Sequence, residues 1–290
     1  MLAAMAAFTI EDAFIKQLSS TISIGQILII IGLFSAVFFA LLALTRGRNL
    51  FGSKVWTPAT LIRMVAEAVS AMAFITSLSL VPISTVAAVF QVTPLTITMG
   101  AALFLGERVG WRRWTAVVVG FMGVLLIIRP GFGGFDPSVL WVLVAVLGVA
   151  VRDLVTRVIP TSVESSIISF QAFFSIVIAG LILLLISPQD IAPIQGKELV
   201  YFGCTIVFSI SGYYAIVTAM RVGNASIVSS FRYSRLLFSL LVGVFIFDES
   251  VDVPTFIGSA IIIATGLYTF LREHQIAKKT LSFNEKLERG

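Results

Sequence analysis

The chain has 290 residues, 58% of them hydrophobic and only 12% charged, with a mean hydropathy of +1.03. Soluble domains carry about 25% charged residues, so a soluble enzyme or nucleic-acid binder is excluded and a membrane protein is indicated. The excess of 20 Lys and Arg over 15 Asp and Glu then reads as basic residues placed on cytoplasmic loops.

Charges and turn residues divide the chain into ten apolar segments. The first, Met1–Ser19, carries Glu11, Asp12 and Lys16 and has no basic leader or small-residue cleavage site, so it reads as a retained helix. The second is Gly25–Thr45, without a charge. The third, Pro58–Leu80, contains Arg63 and Glu67. Pro82 breaks the chain before the fourth, Thr85–Leu105, and Pro94 inside it predicts a kink beside Gln91 and Thr93. Carbonyls freed by that kink either meet a ligand or serve packing alone. The fifth, Arg113–Ile128, ends at Arg129-Pro130-Gly131.

The sixth segment, Pro137–Val158, holds Arg152 and Asp153, and the seventh is Glu164–Ile186. The eighth is Glu198–Met220. The ninth, Ala225–Phe247, holds Arg232 and Arg235, and the tenth is Pro254–Leu271. Continuous apolar runs at bilayer length exclude the short alternating strands of outer-membrane barrels. The fold class is therefore all-α, a polytopic membrane protein with ten transmembrane helices.

With the amino terminus inside, thirteen basic residues fall on inner loops and the tail, and only Arg129 and Lys197 fall outside. Both termini are thus expected in the cytoplasm, in a multi-pass protein of the inner membrane. The two halves also match. Asp12 and Lys16 are spaced as Asp153 and Arg157 are, and Glu107 and Glu249 close the fourth and ninth segments. An odd number of helices per unit makes the second copy enter from the opposite face, giving two inverted five-helix repeats. Such repeats suit alternating access around a central site. The units are 1–136 and 137–272, with a cytoplasmic tail over 273–290.

The spacing has a precedent. Asp12-x3-Lys16, Pro82-x2-Thr85-x8-Pro94, Phe104-Leu105-Gly106-Glu107, Gly120-x2-Gly123 and Arg129-Pro130-Gly131 follow one another in order. Phe231-Arg232-Tyr233 and Phe247-Asp248-Glu249 fill the matching places of the second half. In these features the chain resembles the EamA family of the drug/metabolite transporter superfamily. The resemblance implies transport of small organic solutes, with helices 1–4 and 6–9 around the substrate and helices 5 and 10 closing the base. Amino-acid exporters of the family commonly have uncharged residues where this chain reads Phe231-Arg232-Tyr233-Ser234-Arg235. The paired arginines look more like the branch of organic-anion and nucleoside-derivative carriers.

Ionisable residues inside a membrane segment are costly and mark functional sites by default. Arg232 and Arg235 share a helix face; they form either a cationic patch for a carboxylate or phosphate, or an internal salt bridge to Glu67 or Asp153. Ser239 continues that face, and Tyr233 lies beside it. Arg63 and Glu67 are one turn apart and pair with each other or with a ligand. The expected substrate-binding residues are thus Arg232, Arg235, Tyr233, Gln91, Phe90, Ser239 and Arg63. Those expected to couple or gate are Glu67, Asp12, Lys16, Arg152 and Asp153.

The expected cargo is a small polar metabolite, carboxylate-bearing or otherwise anionic, such as an amino acid or a nucleoside derivative. Export of neutral amino acids or toxic amphipathic compounds is the alternative. A membrane-embedded enzyme would need clustered acids or histidines, and the single histidine, His274, lies in the tail. No catalytic residue, metal site, cofactor or nucleic-acid partner is expected. The partners are the small-molecule substrate and the lipid bilayer, and a monomer or a homodimer fits equally.

Overall fold

The computed structural model describes residues 1–52, 55–106, 110–129, 136–160, 162–186, 191–222, 231–268 and 271. Among them every regular element is helical and none is a strand. The helices are α1 (Leu2–Leu18), α2 (Ile24–Thr45), α3 (Pro58–Leu80), α4 (Ile83–Phe90), α5 (Thr93–Phe104) and α6 (Trp111–Ile128). They continue with α7 (Leu140–Val158), α8 (Ser165–Ile186), α9 (Lys197–Val222), α10 (Ser234–Phe247) and α11 (Val253–Tyr268). Single 3-10 turns lead into α7 at Pro137–Val139 and into α10 at Phe231–Tyr233. Among the described residues six segments are long and apolar enough to cross a membrane, one of them formed by α4 and α5 together as Ile83–Phe104.

Local chemistry sets the ends. Ser23 accepts from the Gln26 N–H to start α2. Thr57 and Thr60 form a reciprocal capping box before Pro58 at the first turn of α3. The fourth predicted segment differs from a single helix. It breaks at Gln91–Val92, two residues before Pro94, because proline has no N–H to continue the ladder. Thr93 Oγ1 donates to the Phe90 carbonyl at 2.5 Å, taking up one group that the break frees. The predicted start of the ninth segment, 225–230, lies outside the described residues.

Hydrophobicity gives little force for pairing helices in lipid, so close packing depends on small residues. α2 lies against α8, where a Cβ on Gly25 would stand 3.0 Å from the Gly180 carbonyl oxygen and one on Gly180 2.7 Å from that of Gly25. α6 meets α11 the same way: a Cβ on Gly123 would stand 2.9 Å from the Gly258 oxygen, and the reverse distance is 2.6 Å. α3 packs on α7 through Gly148, and Ser70 Oγ donates to the Ala145 carbonyl at 3.0 Å. α1 pairs with α9, and α10 packs on both α1 and α4.

Candidate functional site

A cavity of about 520 Å³ lies inside the bundle, within the usual range of about 300–1,000 Å³ for small-molecule sites. Its described lining comes from α1–α5, α7–α9 and the Arg232–Arg235 turn, with nothing from α6 or α11. At one end it reaches Ser165, the first residue of α8, and Thr156 near the end of α7. At the other end it stops at Ile15, Leu28 and Ile75. Beyond these, Leu18, Ile22, Ile27, Leu78, Val81, Ile83 and Val86 form dense apolar core.

The charged lining is Glu11, Asp12, Glu67 and Asp153 opposite Arg63, Arg152, Arg232 and Arg235. Arg235 Nη2 donates to Asp12 Oδ2 at 2.6 Å. Its guanidinium carbon lies 5.5, 5.3 and 5.5 Å from the ring centroids of Phe8, Phe74 and Phe90. Arg152 bridges two acids, with Nη1 3.1 Å from Glu67 Oε1 and Nε 2.9 Å from Asp153 Oδ1. Arg63 lies 3.6 Å from Glu67 Oε2 and donates through Nε to Thr156 Oγ1 at 2.9 Å.

Arg232 is held more loosely. Its Nη1 stands 3.9 Å from Asp153 Oδ2, and its buried Nε has no hydrogen-bond partner among the described residues. Gln91 Nε2 donates to the Arg232 carbonyl at 3.4 Å, joining the α4–α5 break to this turn. Glu11 forms no ion pair with an arginine among the described residues, and shares the cavity wall with Ser209 of α9.

Nine of the twelve sequence-predicted site residues line this space: Arg63, Glu67, Phe90, Gln91, Asp12, Arg152, Asp153, Arg232 and Arg235. The other three do not. Tyr233 turns the opposite way, with its hydroxyl packed against Gly266 of α11, because neighbouring residues on a helical turn point in different directions. Ser239 is fully buried one turn beyond Arg235, past the end of the cavity. Lys16 lies at the sealed end, where Nζ donates to the carbonyls of Leu78 at 3.1 Å and Val81 at 2.7 Å.

Phe8, Thr156, Ser209 and Tyr213 are among the lining residues that escaped prediction. Ser209 and Tyr213 are four apart, the spacing of one helix face, and that polar pair in an apolar run was the available signal. Thr156 likewise follows Arg152 by four.

The sealed end carries a second polar cluster. Glu249, just past α10, accepts from the Ile83 N–H at 2.7 Å, the Ser84 N–H at 3.0 Å and Ser84 Oγ at 2.7 Å. Lys16 Nζ stands 3.8 Å from the same carboxylate. Two side chains thereby tie together α1, α3, α4 and α10.

The chain is similar to known proteins. The family model for EamA-like transporters matches residues 1–129 and again 136–271. The chain is 28% identical over 208 residues to an S-adenosylmethionine uptake transporter of Rickettsia felis, covering 71% of this chain and 67% of that protein. It is 27% identical to a riboflavin transporter of Rhizobium johnstonii, covering 76% and 72%. A pseudopaline exporter of Pseudomonas aeruginosa is 24% identical, covering 91% and 92%. One crystal structure superposes with a TM-score of 0.59 at 18% identity, covering 91% of this chain and 95% of that one, which shows the shared fold. With an all-helical bundle around a central charged cavity and a family match that takes in both halves, this multi-pass membrane protein belongs to the EamA-like transporter family, and its cargo is a small molecule.

Proposed function

We propose that the chain is a secondary transporter of small zwitterionic, carboxylate-bearing metabolites that also present an aromatic or apolar body. S-Adenosylmethionine, the cargo named for the Rickettsia relative, is the first candidate. The observation that carries this reading is the cavity's charge balance. Among the described lining residues four acids face four arginines between phenylalanine walls, so the site, open from sequence to either a cationic patch or internal salt bridges, is formally neutral. A neutral, strongly dipolar cavity favours a ligand with both charges over a plain anion. Arg232, with its unpartnered Nε, is the group we assign to the carboxylate. Glu11 and Asp12 are assigned to the positive end.

Alternating access between two inverted five-helix units is part of the same proposal. Support comes from pairings that persist when the halves are exchanged. α1 against α9 corresponds to α7 against α3, while α2–α8 and α4–α10 correspond to themselves. Gly25 with Gly180 and Gly123 with Gly258 are reciprocal contacts of the same kind. The basic residues support cytoplasmic termini. In that orientation the cavity reaches the cytoplasmic side, and the end bearing Lys16 and Glu249 is extracellular.

Glu67, held between Arg63 and Arg152, is assigned to coupling. Glu67→Gln is expected to exchange cargo without responding to a pH gradient; unchanged uphill uptake would pass the role to Asp153. The test of the cargo is counterflow in proteoliposomes, with radiolabelled S-adenosylmethionine compared against riboflavin, leucine and a dicarboxylate. Saturable S-adenosylmethionine exchange, weakened at least tenfold by Arg232→Gln, is expected. Preference for the dicarboxylate, or undiminished exchange by Arg232→Gln, would overturn the zwitterion assignment.

A further inference from the structure

We propose that Asp12 with Phe8, Phe74 and Phe90 forms a subsite for an onium group, and that Arg235 fills it with its own guanidinium when no cargo is bound. This rests on the zwitterionic-cargo reading and names the half of the site that takes the positive charge. A sulfonium or quaternary ammonium group is the ligand chemistry that fits.

The geometry is that of a cation cage. A cation within about 6 Å of an aromatic centroid is attracted by the negative ring face. The Arg235 guanidinium meets that condition at three rings, at 5.3 to 5.5 Å. Asp12 closes the fourth side at 2.6 Å and is only 4% exposed. Onium groups are recognised by aromatic faces plus a carboxylate, because they are weakly hydrated and lack the directional hydrogen bonds that polar sites demand. The residue occupying the cage is itself a weakly hydrated cation.

Among the described residues Arg235 pairs with Asp12 and stacks on the three rings, and its side chain retains 18% exposure toward the cavity. It sits at the second residue of α10, directly after the 3-10 turn Phe231–Tyr233. Arg232, three residues earlier, holds no such cage and keeps a buried Nε without a partner. The two arginines on one face therefore differ in kind: Arg232 is open to an anion, and Arg235 stands where a cation belongs.

The arrangement also answers a problem of the empty carrier. A carboxylate buried as deeply as Asp12 is costly when its partner is removed. An onium group entering the cage releases Arg235 toward the cavity, and its departure lets the guanidinium return. Asp12 is then compensated in both states with no proton taken up. No bond forms or breaks; one cation replaces another.

The test uses full-length chain in nanodiscs and radiolabelled tetramethylammonium, which has neither carboxylate nor nucleoside. Wild type is expected to bind the probe weakly, because the tethered guanidinium competes. Arg235→Gln is expected to bind it at least tenfold more tightly, and adding Phe74→Ala should cost at least fivefold of that gain. Equal affinity of wild type and Arg235→Gln would overturn the proposal. Should Arg235→Gln not remain monodisperse, the single Phe74→Ala variant decides: at least fivefold weaker probe binding than wild type is expected, and unchanged binding refutes the cage. Binding of this probe is read without transport, so a negative result leaves the counterflow assignment standing. Failure of S-adenosylmethionine counterflow likewise leaves the cage intact.

Discussion

If the chain works by the proposed alternating access, opening the sealed end breaks the cluster around Glu249, and that makes its strength measurable. Glu249→Ala removes the acceptor for three donors, the N–H groups of Ile83 and Ser84 and the Ser84 hydroxyl. It also removes the carboxylate 3.8 Å from Lys16. Hydrogen bonds to charged groups contribute about 1.5–3 kcal/mol each, and a buried donor left unpaired costs about 1–3 kcal/mol. These donors are buried only while the end is closed; once it opens, water serves them. Counting two of the three bonds at the low end gives about 3 kcal/mol in favour of the open form, on the order of a hundredfold in population. Glu249→Gln keeps one acceptor oxygen but turns an amide donor toward a donor, so about tenfold is expected. The assay places a single cysteine at Ile15, at the deep end of the cavity, in a Cys204→Ser background. A membrane-impermeant thiol reagent is then applied from the α1–α2 side in oriented proteoliposomes. Its reaction rate tracks the open population. A rate unchanged by Glu249→Ala would refute the reasoning, since the cluster would then contribute nothing to closure.

Single cysteines at Ser20 and Arg48 should label from outside and inside the cell respectively, and the reverse pattern would invert the proposed orientation. Gly123→Ala should lower the melting temperature in detergent, at a cost of about 1–3 kcal/mol for overpacking, because its Cβ would stand 2.9 Å from the Gly258 backbone oxygen. Gly203→Ala, with open space around it, should not. At the membrane surface, Glu164 is held below the ordinary carboxylate range, first by the Arg46 hydrogen bond and then by that of Arg48. A depressed folded pKa stabilises above the unfolded value of 4.5 and is lost as pH falls through the folded value. Melting of wild type should therefore decline below about pH 4.5 more steeply than that of Glu164→Gln. The difference should be small, about 1 kcal/mol or less, since both arginines are exposed; parallel profiles would remove Glu164 from the account.

The spans were legible because bilayer length and apolarity are properties of contiguous sequence. Pro58–Leu80 begins and ends where proline and the apolar run placed it, and Pro94 announced the break at Gln91–Val92. The cavity was legible only as an inventory of charges, because helix rotation and depth are set by packing between distant segments. Arg235 and Tyr233 are two residues apart, yet one faces the cavity and the other faces α11. Ser239 shares the face of Arg235 but lies a turn too deep. The partner of Arg235 was hidden for the same reason. Arg235 is neutralised by Asp12, 223 positions away, a partner that no local spacing points to.

Most of the described ion pairs cross between the two halves, while Arg63–Glu67, Arg152–Asp153 and Arg232–Asp153 stay within one. Asp12–Arg235, Glu67–Arg152, Lys16–Glu249, Arg129–Asp252 and the Arg46/Arg48–Glu164 pairs each join a residue before position 136 to one after it. Ion pairs within a unit would move with it as a rigid body. Pairs between units must break or exchange whenever one unit rocks against the other. Their places divide the work of such a motion: Lys16–Glu249 holds one end, Arg46 and Arg48 with Glu164 lie at the other, and Asp12–Arg235 and Glu67–Arg152 line the cavity between. A cargo bearing both charges can substitute for the central pairs, whereas it reaches neither end. On this argument the central pairs govern which molecule is carried, and the end pairs govern how readily each side opens. Substitutions at Asp12 or Arg235 should then alter selectivity among ligands, and those at Glu249 or Glu164 should alter access while leaving the order of ligand preference unchanged.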